Sequence, residues 1–172
     1  MKTPFIITIF TVILTFWLKS ATAQYNREAY DTKHNDTILV GQIDAMAFML
    51  DRYSNWYEME YQPYSPDEAK VDSINLIKPK YEIVIILATW CSDSRTQVPR
   101  FFNIYDKLSQ QAELKMWALN ENKRIPEYDI SLYKIERVPT FIFYRNGLEI
   151  GRITEQPTTS LESDWLKIIS QK

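Results

Sequence analysis

The stretch EIVIILATWCSDSR, Glu82 to Arg95, decides the fold class. From Glu82 to Thr89 it is almost continuously apolar and rich in β-branched side chains. Bounded by Pro79 before and a Trp-Cys turn after, such a run reads as a strand buried on both faces, at the centre of an α/β sheet. Helical spacing takes over at once, with Val98, Phe101, Phe102, Tyr105 and Leu108 on one face. Cys91 therefore falls at a strand-to-helix junction, at or just before the helix N-terminus. Pro99 lies inside that helix, where it removes a backbone donor and predicts a kink.

Downstream, residues 113–120 read as a second strand and 127–135 as a short helix. Thr140 to Arg145 and Leu148 to Ile153 read as two strands joined by Asn146-Gly147, a two-residue hairpin turn. Thr159 with Glu162 has the spacing of a capping box, opening a last helix that buries Leu161, Trp165, Ile168 and Ile169. A parallel βαβ unit, an antiparallel hairpin and a covering helix give an α/β fold with a mixed central sheet flanked by helices.

Upstream, Ser65 and Asp67 open a helix with Val71, Ile74 and Ile77 on one face and Pro79 as its stop. Residues 43–61 predict one longer helix, because Met46, Met49, Leu50, Tyr53, Trp56, Tyr57 and Tyr61 recur at helical steps. This aromatic stripe could face a peptide, but more often such a stripe is core, which is the reading adopted. Residues 24–40 are polar and aperiodic and read as a flexible lead-in. His34, the single histidine, lies there and is read as solvated, without a role. Asn35-Asp36-Thr37 fits a glycosylation sequon.

The first residues read as an address. Lys2 precedes an uncharged run from Phe5 to Leu18, and Ala21-Thr22-Ala23 offers small residues for cleavage after Ala23. The run ends at Lys19, short of the about 20 apolar residues a membrane span needs. Export across the inner membrane to the periplasm of a bacterial envelope is expected, with no stable membrane insertion afterwards. The domain reading is a signal peptide at 1–23, a lead-in and helical extension at 24–79, and the main domain at 80–172. Lys+Arg number 20 against 22 Asp+Glu, a balance that offers nucleic acid no basic stripe. There is no second histidine for a triad, no metal-ligand cluster and no Gly-rich phosphate loop, so neither a metal nor another cofactor is expected.

Three separated features resemble the thioredoxin family. They are Ala88-Thr89-Trp90-Cys91 at the end of a strand, Pro99 eight residues after the cysteine, and Val138-Pro139-Thr140 leading into a strand and an Asn-Gly hairpin. The resemblance covers residues 81 to 170 and implies a thioredoxin-like fold with a cis-proline at Pro139. More narrowly, the chain is similar to secreted bacterial thioredoxin-like proteins with a Trp-Cys-x-Asp-Ser site. It departs from the family in one direction. Ser94 replaces the resolving cysteine. Ile85 and Ala118 stand where thioredoxins place the buried aspartate and the lysine that serve the second thiol. Glu155 and Arg137 stand at or near two groove glycines.

The chain has one cysteine, so it forms no internal disulfide. An exported lone cysteine is either an intermolecular partner or a reactive thiol, and many are simply inert and buried. The junction decides for reactivity, because a helix N-terminus favours the attacking thiolate. Cys91 and Ser94 are the candidate catalytic pair, with the Ser94 hydroxyl expected to reach back to the sulfur. Asp93 and Arg95 are the candidate charges tuning that thiol. Asp93 and Ser94 read equally well as ordinary residues of a first helical turn. Trp90, Val138 and Pro139 are the expected substrate-binding residues, with Val138 offering its backbone to an extended segment.

The function expected is that of a monothiol thiol–disulfide oxidoreductase or isomerase in cell redox homeostasis, working through mixed disulfides. Its partners would be protein or small-molecule thiols and disulfides, or a second copy linked through Cys91. The alternative is a thioredoxin-fold binding module without turnover, or a partner protein tethered by Cys91.

Overall fold

The computed structural model describes residues 25–78 and 80–171. The expected signal peptide and the helix stop at Pro79 lie outside the described residues. A five-stranded mixed sheet in the order β3-β5-β4-β6-β7 organises the molecule. β4 (Glu82–Leu87) lies at its centre, parallel to β5 (Glu113–Ala118) and antiparallel to β6 (Thr140–Arg145). β7 (Leu148–Thr154) closes one edge through the Asn146-Gly147 turn, where both residues have positive φ. The opposite edge strand, β3 (Gly41–Ile43), comes from the segment before residue 79 and pairs antiparallel with β5.

Alternation along β4 explains its continuous apolar run. Ile83, Ile85 and Leu87 face one core cluster, and Val84, Ile86 and Ala88 face another. The first cluster is roofed by α1 (Asp51–Tyr61), α3 (Ser92–Tyr105) and α4 (Leu161–Ile169). Phe101 of α3 lies parallel to Trp165 of α4, ring centroids 4.8 Å apart. α4 approaches the sheet closely at Gly151, where an added Cβ would lie 2.9 Å from Ile168. α2 (Glu68–Leu76), opened by Asp67, packs beside α4. The second cluster is covered by the irregular segment between β5 and β6, through Ile125, Ile130, Tyr133 and Ile135.

Four local expectations are corrected. Residues 24–40 hold a β-hairpin, β1 (Glu28–Asp31) and β2 (Asp36–Leu39). Strands of four residues are too short to show alternation, and polar Asp31 is buried because its oxygens are satisfied. The N-terminal addition is therefore not helical throughout. The helix expected over 43–61 is interrupted, with a 3₁₀ turn at Ala45–Met49 before α1, because Asp44 caps Met46 and Leu50 is extended. Residues 127–135 contain only a 3₁₀ turn, Ser131–Tyr133, closed by left-handed Lys134 and preceded by an Asp129 side-chain bond to Ser131 N. The cap of α4 is Ser160, which accepts from Ser163 N, and not Thr159. The α1 part of the stripe is largely core, with Tyr53 and Tyr57 buried and Trp56 partly so, but Met46, Met49 and Leu50 are exposed where the 3₁₀ turn breaks the helical face.

Glu162 ties the N-terminal half to α4. Its carboxylate accepts from Tyr64 Oη at 2.8 Å and from Asp67 N at 3.1 Å. Burial opposes its charge, but hydrogen bonds from its own backbone N–H, from Asp67 N, from Tyr64 and from Ser160 prevail and hold its pKa below the ordinary 4.5. A depressed folded-state pKa contributes stability above the unfolded value, and that stability is lost as pH falls. Glu162→Gln should therefore cost about 1–3 kcal/mol in urea unfolding at neutral pH. The gap to wild type should narrow as pH drops through the carboxylate range; a pH-independent gap would contradict this assignment.

Candidate functional site

The chain passes from β4 to α3 through Ala88 to Cys91. Cys91 is the N-cap, with extended backbone, φ −88° and ψ 127°. Its N–H donates to Ala88 O at 3.0 Å and its carbonyl accepts from Arg95 N at 3.0 Å. The side chain is partly exposed, and Sγ donates to Val138 O at 3.2 Å. The Val138-Pro139 peptide bond is cis. Pro139 O in turn accepts from Glu155 N at 2.7 Å, and Thr140 Oγ1 donates to Arg137 O at 2.7 Å. The structure thus brings Cys91, Val138 and Pro139 together.

Trp90 lies beside them, its Nε1 donating to Leu119 O at 3.2 Å. Ser94 is placed differently from expectation. It is only 1% exposed, and its hydroxyl accepts from Ala88 N at 3.2 Å, locking the turn rather than bonding the sulfur. A buried N–H needs a partner, and this one has no strand neighbour left to supply it. Asp93 Oδ1 accepts from Gln156 Nε2 at 3.2 Å, which ties the first turn of α3 to the segment after β7. Arg95 turns back along the junction. Its Nε donates to Thr89 O at 2.5 Å, and its guanidinium sits 6.0 Å from the Trp56 ring. Arg95 therefore braces the turn.

A family model described as thioredoxin matches residues 42–164. The chain belongs to the thioredoxin family. It is 29% identical over 89 residues to the Dictyostelium discoideum protein described as thioredoxin-5, covering 51% of this chain and 80% of that one. A Pseudomonas aeruginosa protein of unknown function shares the fold at 15% identity, with a TM-score of 0.52 over 75% of this chain and 87% of that one. Fasciola hepatica thioredoxin aligns at 19% identity and a TM-score of 0.40, over 60% and 88%.

Against that family background the departures acquire structure. Ile85 and Ala118 are both fully buried in the apolar cluster beneath the junction, so neither position brings a carboxylate or an amine to it. Glu155 keeps a left-handed backbone, φ 58°, that glycine would adopt freely. Its carboxylate pairs with Arg137 at 2.7 Å, placing an ion pair beside the cis-proline. Among the described residues no group of three or more His, Cys, Asp or Glu is placed to hold a metal ion.

Two residues given no role in the sequence sit at the site. The β1–β2 hairpin packs on the junction, where Leu39 N donates to Thr89 Oγ1 at 3.1 Å. His34 stacks on Trp90, centroids 5.0 Å apart and planes 6° from parallel, and its Nδ1 is hydrogen-bonded to buried Asp31. Asp31 and His34 stand three apart across a polar turn, a spacing too common to signal contact with Trp90.

Ser94→Ala should leave Ala88 N–H buried without a partner. The expected loss is about 1–3 kcal/mol, read as a lower urea midpoint with an unchanged slope. An unchanged midpoint would remove Ser94 from the architecture of the turn.

Proposed function

We propose that this thioredoxin-family protein is a monothiol thiol–disulfide exchange protein of the bacterial cell envelope, acting through Cys91. The observation that carries the reading is the pairing of a partly exposed N-cap sulfur with the Val138 carbonyl at the cis-proline, while the second motif position holds a buried serine.

The chemistry follows from one sulfur. The Cys91 thiolate attacks one sulfur of a disulfide R–S–S–R′. A Cys91–S–S–R bond forms, the R–S–S–R′ bond breaks, and R′–S⁻ departs and takes up a proton. The bond to Val138 O uses the thiol proton, so thiolate formation frees that carbonyl to pair with an extended substrate segment. Trp90 and the groove beside Pro139 hold that segment. Resolution needs a third thiol, R″–SH, whose thiolate attacks the R sulfur, regenerates Cys91 and releases R–S–S–R″. A small-molecule thiol as R″–SH makes the reaction a reduction in stages. A second thiol of the substrate makes it an isomerisation.

Turnover of a peptide disulfide should rise in proportion to added thiol and vanish in Cys91→Ser. Partner capture that survives Cys91→Ser would instead favour a binding module. Ser94→Cys should complete one turnover without added thiol, because the second sulfur closes an intramolecular disulfide. If the wild type completes that turnover equally well unaided, the monothiol reading fails.

A further inference from the structure

The β1–β2 hairpin carries an oriented imidazole to the nucleophile's neighbour. The Asp31 side chain has no exposed surface and its oxygens accept from Lys33 N, His34 N and the His34 ring. Burial opposes the Asp31 charge, yet the His34 and backbone hydrogen bonds hold its pKa below the ordinary value. A buried carboxylate bonded to Nδ1 fixes the ring and its tautomer, leaving Nε2 as the nitrogen free to exchange a proton. The His34 side chain remains 31% exposed and lies flat on Trp90, next to Cys91 in sequence.

The hairpin is anchored to the junction besides the stack. Thr89 Oγ1 holds Leu39 N, and Asp36 faces Arg52 of α1 at 3.2 Å and Arg95 of α3 at 3.9 Å. The charged groups around His34 are thus Asp31, Lys33 and Asp36 on its own hairpin, Asp36 being paired with Asp31 beside the turn, and Arg52 and Arg95 from the helices packed against it. Glu28 on β1 is engaged by Tyr53 at 2.9 Å and Arg52 at 3.6 Å. Ile85 and Ala118, the buried sheet positions beneath this site, carry no group that could move a proton.

We propose that His34, held by Asp31, is the acid–base residue for thiol exchange at Cys91. This rests on the exchange reading above. When the Cys91 thiol leaves Val138 O, its proton passes through solvent to His34, which becomes imidazolium. The thiolate attacks, the Cys91–S–S–R bond forms, and the expelled R′–S⁻ takes that proton to leave as R′–SH. In resolution the same imidazole accepts the proton of the incoming R″–SH and returns it to the Cys91 thiolate. Disulfide number is conserved in each step, and only a proton is relayed.

The test compares wild type, His34→Phe and Asp31→Asn as full chains against three probes. Oxidised glutathione expels an alkyl thiolate that gains from an acid. A chromogenic aryl disulfide expels a thiolate that is stable without one, and iodoacetamide expels iodide. His34→Phe keeps an aromatic ring for the stack. It should lose about 10²-fold on oxidised glutathione, at least about tenfold more than on either other probe, and Asp31→Asn should lose in the same pattern. Equal losses on all three probes would make His34 a structural brace and overturn the proposal, as would no loss. A wild type that reacts with iodoacetamide but with neither disulfide overturns the exchange reading, and this proposal with it.

Discussion

Every feature of the site hangs on the hydrogen-bonded turn from Ala88 to Cys91. Cys91 N holds Ala88 O, Ser94 Oγ holds Ala88 N, and Arg95 Nε holds Thr89 O. Thr89 Oγ1 holds Leu39 N, and Trp90 Nε1 holds Leu119 O. These bonds reach the sheet, α3, the N-terminal hairpin and the segment after β5. A strand buried on both faces fixes one end of the turn, and the first turn of a long helix fixes the other. Between them the sulfur has little freedom, and its bond to Val138 O sets the remaining side of the cleft.

Ser94 is a structural replacement as much as a chemical loss. Its hydroxyl satisfies a buried backbone donor, a task for which oxygen is a stronger acceptor than sulfur. The apolar pair Ile85 and Ala118 belongs to the same change, since a buried charge there would cost solvation with no second thiol to serve. On the proposed reading the proton chemistry has moved from the sheet interior to the hairpin, where His34, held by buried Asp31, stacks on Trp90. The Arg137–Glu155 pair then borders the groove by the cis-proline with charge where glycines would leave it open.

The central strand, the junction at Cys91, α3, the β6–β7 hairpin and α4 were legible because each has a strong local signal. Continuous β-branched residues, helical spacing and Asn-Gly all act over a few residues. The β1–β2 hairpin was not legible, since its short strands are stabilised by bonds to Thr89 and by the Trp90 stack, all remote in sequence. The place of Ser94 was only half legible for a related reason: the helix start allows either an ordinary first-turn residue or a hydroxyl near the sulfur, and the end of β4 presents an unpaired N–H that takes the hydroxyl. The Ser160 cap and the long-range work of Glu162 likewise depend on which donors the fold brings close.

The central claim is that one sulfur captures a disulfide partner and holds it until another thiol arrives. Intact-mass spectrometry of the protein after brief exposure to a small disulfide, followed by removal of the reagent, reads this directly. The account predicts a single adduct on Cys91 that persists without thiol and disappears when thiol is added. Absence of the adduct, or its loss at the same rate with and without thiol, would contradict it.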